Sequence, residues 1–315
     1  MVIGVDLGGM SAKAAILQNG KLVGKSRVET SAEHAVNETA FALTNLCRQT
    51  AESAGVPFEN ISEIGIGSPG VIDSRTGTVV SWTNYGWKNA PLAELVQKYS
   101  GKPTYVTNDA NAAALGEAKY GAGRGYNNSL LVTIGTGVGG GIVLGGKLYE
   151  GFRSAGAEIG HMVIRQNGEL CSCGRRGCYE VYASARALVQ ITQERMQKER
   201  KSAMWKYAQT LEDVDGRTVF LAAREGDPAA ETALTRYVAG LGEGIVNLVN
   251  VLRPQAVIIG GGISAEKELL LKPLKEYVYP RIYVSKDYAP LEILCAELGN
   301  DAGIYGAAQY ALERL

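Results

Sequence analysis

V-I-G-V-D-L-G-G (residues 2–9) opens the chain, and A-A-I-L-Q-N-G-K-L (residues 14–22) follows closely. The first run is apolar up to Asp6 and breaks at Gly8-Gly9. The spacing predicts strands over Val2 to Asp6 and Ala12 to Gln18, and a third over Lys21 to Glu29 after the turn at Asn19-Gly20. Then the pattern returns. Leu130 to Ile134 reads as a strand, Gly135-Thr136-Gly137 as a turn, and Gly141 to Leu144 as a strand. At an offset of 126 residues Gly146-Lys147-Leu148 matches Gly20-Lys21-Leu22, Ile142 falls on Ile16, Val143 on Leu17 and Gly135 on Gly9. Any two Gly-rich hairpins share some of this. Taken together, the matches imply a two-copy internal repeat of α/β halves, each opening on a glycine-turn hairpin.

Between and after the hairpins the pattern is mixed. A helix is expected from about Ala32 to Ala54, a strand over Ile61 to Gly67, a strand over Tyr105 to Asn108 and a helix from Ala110 to Tyr120 capped by Asp109. Further helices are expected over Ala183 to Lys198, Met204 to Glu212, Thr218 to Glu225 and Ala229 to Leu252, the last stopped by Pro254. Val257 to Ile259 reads as a short buried strand running into Gly260-Gly261-Gly262. A helix over Glu266 to Tyr277, a strand near Leu291 to Leu294 and a closing helix from Asp301 to Arg314 complete the reading.

Composition bounds the class. The 315 residues are 46% hydrophobic and 20% charged, as in ordinary globular proteins. The length suggests two domains, since single cores stop growing near ~250–300 residues. With 32 basic and 32 acidic side chains the formal charge is zero, which gives no footing for nucleic acid or an anionic membrane. The basic stretch from Arg195 to Lys206 reads as a solvated helix face. No charged n-region with an apolar stretch behind it opens the chain, and no run approaches a membrane span, so a cytoplasmic location is expected.

Forty glycines are about twice the usual share of ~7%. They gather at strand ends: Gly8-Gly9, Gly135 to Gly141, and Gly260-Gly261-Gly262. Glycine lets backbone N–H groups approach an anion with no Cβ in the way. Ser11, Lys13 and Thr136 add hydroxyls and a cation. None of these turns has the G-x₄-G-K-[ST] spacing of a P-loop or the G-x-G-x-x-G followed by a helix of a dinucleotide fold. Turns of this kind in opposing halves suggest a split nucleotide site. In T-N-D-A-N-A-A-A (residues 107–114) a strand delivers Asn108 and Asp109 to its C-terminal end, where ligands of α/β sheets sit. A carboxylate there is able to take a proton from a hydroxyl attacking phosphorus. It is equally able to serve only as a helix N-cap.

Cys171, Cys173 and Cys178 lie in one eight-residue window, C-S-C-G-R-R-G-C, and His161 stands ten residues ahead of it. Three thiolates and an imidazole form the tetrahedral set that structural zinc takes. Thiol chemistry is the alternative. Scattered buried cysteines such as Cys47 and Cys295 pack as small apolar residues, whereas a cluster among glycines and arginines does not. Glu158 and Glu180 flank the set, so a metal-pinned loop would hold two carboxylates for a polar ligand.

These residues resemble the ROK family of bacterial sugar kinases and sugar-sensing regulators, nearly end to end. The resemblance rests on D-L-G-G at Asp6, S-P-G at Ser68, N-Y-G-W at Asn84, N-D-A-N-A-A-A-L-G-E at Asn108 and G-T-G-V-G-G-G at Gly135. It continues through A-E-I-G-H at Ala157, C-S-C-G-R-R-G-C-Y-E at Cys171, G-G-G-I at Gly260 and L-G-N-D-A-G-I-Y-G-A-A at Leu298. The cysteine element with its upstream E-x-G-H is the specific part. The glycine elements are shared with the wider actin and hexokinase-like superfamily.

The resemblance implies an α/β, duplicated ribonuclease H-like (actin/hexokinase-like) two-domain fold with a cleft. Residues 1–112 plus 300–315 would form the smaller domain, and 113–299 the larger one with the zinc loop. It implies ATP-dependent phosphorylation of a hexose, glucose foremost, with Asp109 as general base. Asn84, Asn108, Asp109, Glu158, His161 and Glu180 would bind sugar. Gly8, Gly9, Lys13, Thr136 and Gly137 would meet the phosphates, Gly260, Gly261 and Gly262 the nucleoside, and Asp6 would position Mg²⁺ through water. His161, Cys171, Cys173 and Cys178 would hold structural zinc. A homodimer or homotetramer is expected, with no nucleic acid or membrane partner. Regulators of the family carry a DNA-reading module ahead of the first strand, and here that strand starts at residue 2. One departure stands out: the family usually has threonine after D-x-G-G, where this chain has Met10.

Overall fold

β1 (Val2–Leu7) is buried almost throughout and pairs on both sides. Antiparallel to it runs β2 (Ser11–Gln18), which pairs onward with β3 (Lys21–Glu29). The structure, a computed structural model, describes residues 1–314. After β3 come α1 (Val36–Ser53), β4 (Glu63–Ser68), the short strands β5 (Val71–Asp73), β6 (Thr78–Trp82) and β7 (Trp87–Ala90), α2 (Leu92–Ser100), β8 (Thr104–Asn108) and α3 (Asp109–Tyr120). β4 lies parallel to β1, and β8 parallel to β4. The first sheet therefore has the order β3-β2-β1-β4-β8, and β5, β6 and β7 make a small sheet of their own.

The second half repeats the plan. β9 (Ser129–Ile134), β10 (Val138–Leu144) and β11 (Lys147–Tyr149) form the returning hairpin. α4 (Glu180–Ala183), α5 (Ala185–Lys198), α6 (Met204–Tyr207), α7 (Thr218–Arg224) and α8 (Pro228–Leu252) follow. β12 (Ala256–Gly261), α9 (Glu268–Val278), β13 (Glu292–Cys295) and α10 (Ala302–Leu312) close the chain. The second sheet has the order β11-β10-β9-β12-β13, which is the order of the first sheet strand for strand. The duplication expected from the 126-residue offset is thus present in the topology. The chain divides into two units. One comprises residues 1–131, 141–157 and 297–314, and the other residues 132–140 and 158–296.

Several elements differ from their expected bounds. α1 starts at Val36, because Glu38 Oε2 accepts the Ala35 N–H at 2.8 Å and fixes the entry there. The helix expected over 183–198 starts at Ala185, since Ser184 is extended (φ −74°, ψ 167°) and caps α5 by accepting the Ala187 N–H at 3.2 Å. α6 ends at Tyr207, well short of Glu212. The closing helix is shorter at both ends, starting at Ala302. Cys47 is fully buried as expected, but Cys295 is only half-buried, its thiol donating to the Ser264 carbonyl at 3.3 Å.

What brings α10 back onto the first sheet is the absence of side chains. A Cβ at Gly4 would run into the Ile304 carbonyl oxygen, one at Gly65 into that of Ala307, and one at Gly306 into that of Ala112 on α3. Backbone rests on backbone at each of these contacts, so none can yield by turning a rotamer. Gly65→Ala is expected to cost about 1–3 kcal/mol, read as a lower urea midpoint at unchanged slope. An unchanged midpoint would show that α10 can back away at no cost.

Candidate active site

The parallel strands β1, β4 and β8 end at one edge of their sheet, and register decides what gathers there. Asp6 of β1 is paired with Gly67 of β4, and Ser68 of β4 with Asn108 of β8. Across the hairpin Asp6 is also opposite Lys13. Asp6 and Asp109 thus reach the same edge with a glycine strand end between them. Burial pushes the Asp6 carboxyl up to about 6; the charge of Asp109 adds to this, and Lys13 opposes it. Asp109 is raised as well, again by burial, against hydrogen bonds from Ala110 and Asn108 that hold it down.

The helix cap is Asn108 and not Asp109. Asn108 Oδ1 accepts the N–H groups of Ala110 (2.9 Å) and Asn111 (3.2 Å), and its Nδ2 donates to the Gly70 carbonyl at 3.2 Å. Asp109 is the first helical residue. Its Oδ1 accepts the Ala110 N–H at 2.8 Å. Two residues back, the Thr107 hydroxyl donates to Glu150 at 3.0 Å, and Glu150 also accepts from Tyr310 and Arg314, so the strand end is tethered to α10.

The first glycine turn is held by its carbonyls. Thr30 Oγ1 donates to Gly8 O (3.0 Å) and the Tyr85 hydroxyl to Gly9 O (3.1 Å). Tyr85 follows Asn84 in a single 3₁₀ turn (Thr83–Tyr85) and stacks on Trp82 at 3.7 Å, with Trp87 edge-on to both. That aromatic trio fixes the exposed Asn84 relative to the turn. Met10 is 83% exposed, so its thioether packs against little.

In the other unit the cysteine loop is built on one tyrosine. Tyr179 is fully buried, its hydroxyl donates to the Leu241 carbonyl at 2.8 Å, and its ring occupies the space left by Gly244 on α8. Its neighbours Cys178 and Glu180 are placed by that anchor. Cys173 and Cys178 sulfurs lie 3.6 Å apart, and Cys171 Sγ lies 3.7 Å from His161 Nδ1. All four candidate ligand atoms fall within 4.8 Å of one another. A tetrahedron with Zn–S near 2.3 Å has edges of roughly 3.8 Å, so the donor set fits that ion. His161 turns Nδ1 toward the thiols, which leaves Nε2 for another partner. Cys171 donates to Glu180 Oε1 at 2.9 Å, and burial followed by that carboxylate pushes its thiol up to about 12.

His161 and Glu180 also border the second glycine turn. Gly160 lies against the Val138 carbonyl, and a Cβ at Gly137 would meet Glu180 Oε2 at 2.6 Å. Gly261 (φ 88°) lies on the backbone of Ile134, which brings Gly260 to Gly262 beside Gly135 to Gly137. Glu158 is exposed at the start of the His161 turn, its carbonyl accepting the His161 N–H at 3.1 Å. A cavity of about 310 Å³ opens here, lined by Thr136, Gly137, Ser172, Glu180, Ser184 and Arg186 among others. Ser172, Ser184 and Arg186 were not foreseen; Ser172 lies inside the cysteine element, and no motif marks Ser184 or Arg186. Among the described residues no helix is long and apolar enough to cross a membrane.

A duplicated hairpin sheet with glycine turns, a half-buried carboxylate at a strand end and a Cys₃His loop defines a sugar-kinase-like protein of the actin and hexokinase-like class. The chain belongs to the ROK family, whose sequence profile matches residues 2–314. It is 38% identical to a glucokinase of Thermotoga maritima over 316 residues, covering 100% of this chain and 98% of that one. A ROK family glucokinase from Streptomyces griseus, solved in complex with glucose and AMPPNP, superposes with a TM-score of 0.82 at 34% identity, covering 99% of each chain. A xylose repressor of Caldicellulosiruptor bescii is 32% identical over 97% of this chain and 76% of its own length.

Proposed function

We propose that this protein is an ATP-dependent glucokinase with Asp109 as its general base. The observation that carries the reading is the state of Asp109. It stands half-buried at the strand end and is relieved of capping by Asn108, in a chain similar throughout to glucokinases. Asp109 takes the proton of the sugar hydroxyl, usually the 6-hydroxyl, as that oxygen bonds to the γ-phosphorus and the bond to the β-phosphate oxygen breaks, releasing ADP. Asn84, Asn108, Glu158, His161 and Glu180 hydrogen-bond the other hydroxyls. Gly8, Gly9, Lys13, Thr136 and Gly137 face the phosphates, and Gly260, Gly261 and Gly262 the nucleoside.

His161, Cys171, Cys173 and Cys178 would hold zinc, which would supply rigidity to the sugar-binding wall. A Cys171 thiolate no longer donates to Glu180 Oε1, so that oxygen is open to a sugar hydroxyl. Asp6 would help position Mg²⁺, a role suited to a carboxylate beside a phosphate site. The reaction belongs in the cytoplasm, where ATP is supplied, and the assembly is a homodimer or homotetramer without nucleic acid or membrane.

The test is ADP release from Mg-ATP with purified, metal-retaining protein across hexoses and N-acetylhexosamines. Strong turnover with glucose supports the reading. Strong preference for another sugar would replace the substrate. Binding of sugar without turnover would favour a sensor, a reading prompted by the repressor relatives and by Met10. A threonine hydroxyl in place of the Met10 thioether adds a donor at the first turn. Met10→Thr is therefore expected to lower KM for ATP, and an unchanged or higher KM rejects a phosphate role for that position.

A further inference from the structure

The first glycine turn has a cation near it in sequence, Lys13; the second has none. Between Arg124 and Lys147 the chain carries no basic residue at all. The fold makes up the difference. α5 starts against this turn, the Ala185 N–H donating to the Gly135 carbonyl at 2.9 Å. Arg186, in its first turn, lines the 310 Å³ cavity together with Thr136 and Gly137 and is the only basic residue to do so.

Arg186 has no other employment. Among the described residues its guanidinium has no ion pair, hydrogen bond or aromatic partner. Nearby arginines do: Arg195 pairs with Glu199 at 3.4 Å and Arg236 with Glu194 at 2.6 Å. Glu169 and Glu180 line the same cavity, yet neither pairs with Arg186. Glu180 is turned to Cys171 and to the His161 ring. An unpaired guanidinium beside a hydroxyl-bearing glycine turn matches the planar, bidentate recognition of phosphate oxygens.

We propose that Arg186 is a donor-binding residue, taking phosphate oxygens of the nucleotide held at Thr136 and Gly137; this rests on the kinase reading above. The test measures KM for ATP, KM for glucose and calorimetric ADP affinity in the wild type, Arg186→Ala and Arg186→Lys. Losing a charge-assisted contact raises KM for ATP and the ADP Kd about tenfold in Arg186→Ala. KM for glucose changes little, and Arg186→Lys falls between. Added salt weakens ADP binding more in the wild type than in Arg186→Ala. An Arg186→Ala protein that turns over glucose with unaltered ADP affinity overturns this assignment and leaves the kinase reading intact. A folded wild type that neither binds ADP nor phosphorylates any hexose overturns the kinase reading, and this inference with it.

Discussion

Asp109→Asn should lower kcat for glucose phosphorylation by about 10²–10⁴-fold, the usual worth of a positioned general base. Glucose and ADP should still bind, and metal content should be unchanged. The substitution keeps an oxygen to accept the Ala110 N–H and removes the ability to take a proton. Burial raises the Asp109 pKa, so the base is ionised only above the ordinary carboxylate range, and the acid limb of kcat/KM in the wild type should lie above it. The same shift makes a claim about stability. A carboxyl whose pKa is raised on folding favours the folded state at acid pH, and that contribution fades as pH rises through the folded value. At neutral pH the ionised Asp109 is therefore a cost, increased by the neighbouring Asp6. Asp109→Asn should leave Tm at pH 7 unchanged or raise it. Near-normal turnover would place the base elsewhere, and a fall in Tm would mean that the charge stabilises its surroundings.

How the site was legible follows from what each residue depends on. The duplicated hairpins were readable because strand and turn are local, and glycine turns leave a strong mark. The Cys₃His set was readable because its ligands crowd within 18 residues of one another. Residues 71–100 were not. β5, β6 and β7 are three to five residues long, and their stability comes from the packed trio Trp82, Tyr85 and Trp87, which no periodicity announces. Asn108 and Asp109 are both good cap residues, and sequence alone does not say which does the capping. Strand register settles it by placing Asn108 last in β8. Arg186 was invisible for the opposite reason. It stands 50 residues after Thr136, and only the return of α5 to the Gly135 carbonyl brings the two to one cavity.

Loss of the metal should be the second large effect, felt at the sugar more than at the nucleotide. The loop from Val163 to Cys178 has little regular structure of its own. Two isolated bridges, Val163 with Cys178 and Leu170 with Arg176, are its only sheet-like pairings among the described residues. Gly174 and Gly177 turn in the left-handed region at φ 87° and 83°. Structural zinc binds small domains with apparent free energies of about 10–16 kcal/mol at neutral pH, and in such a loop that energy is folding energy. Cys178→Ser replaces a fully buried candidate ligand next to the Tyr179 anchor. His161 and Glu180 then lose their fixed positions together. Two sugar hydrogen bonds at about 1–1.5 kcal/mol each make a rise in KM for glucose of about 30–150-fold. ADP affinity should fall less, since the first glycine turn and Lys13 make no contact with the thiols, and only the second turn borders the loop, at Gly137. Elemental analysis, thermal melting and parallel glucose and ADP titrations of Cys178→Ser and of chelated wild type decide the matter. A demetallated protein with lowered Tm but unchanged glucose affinity would confine the metal to stability. Equal loss of both ligands would mean that the loop supports the nucleotide turn as much as the sugar wall, through the contact of Gly137 with Glu180.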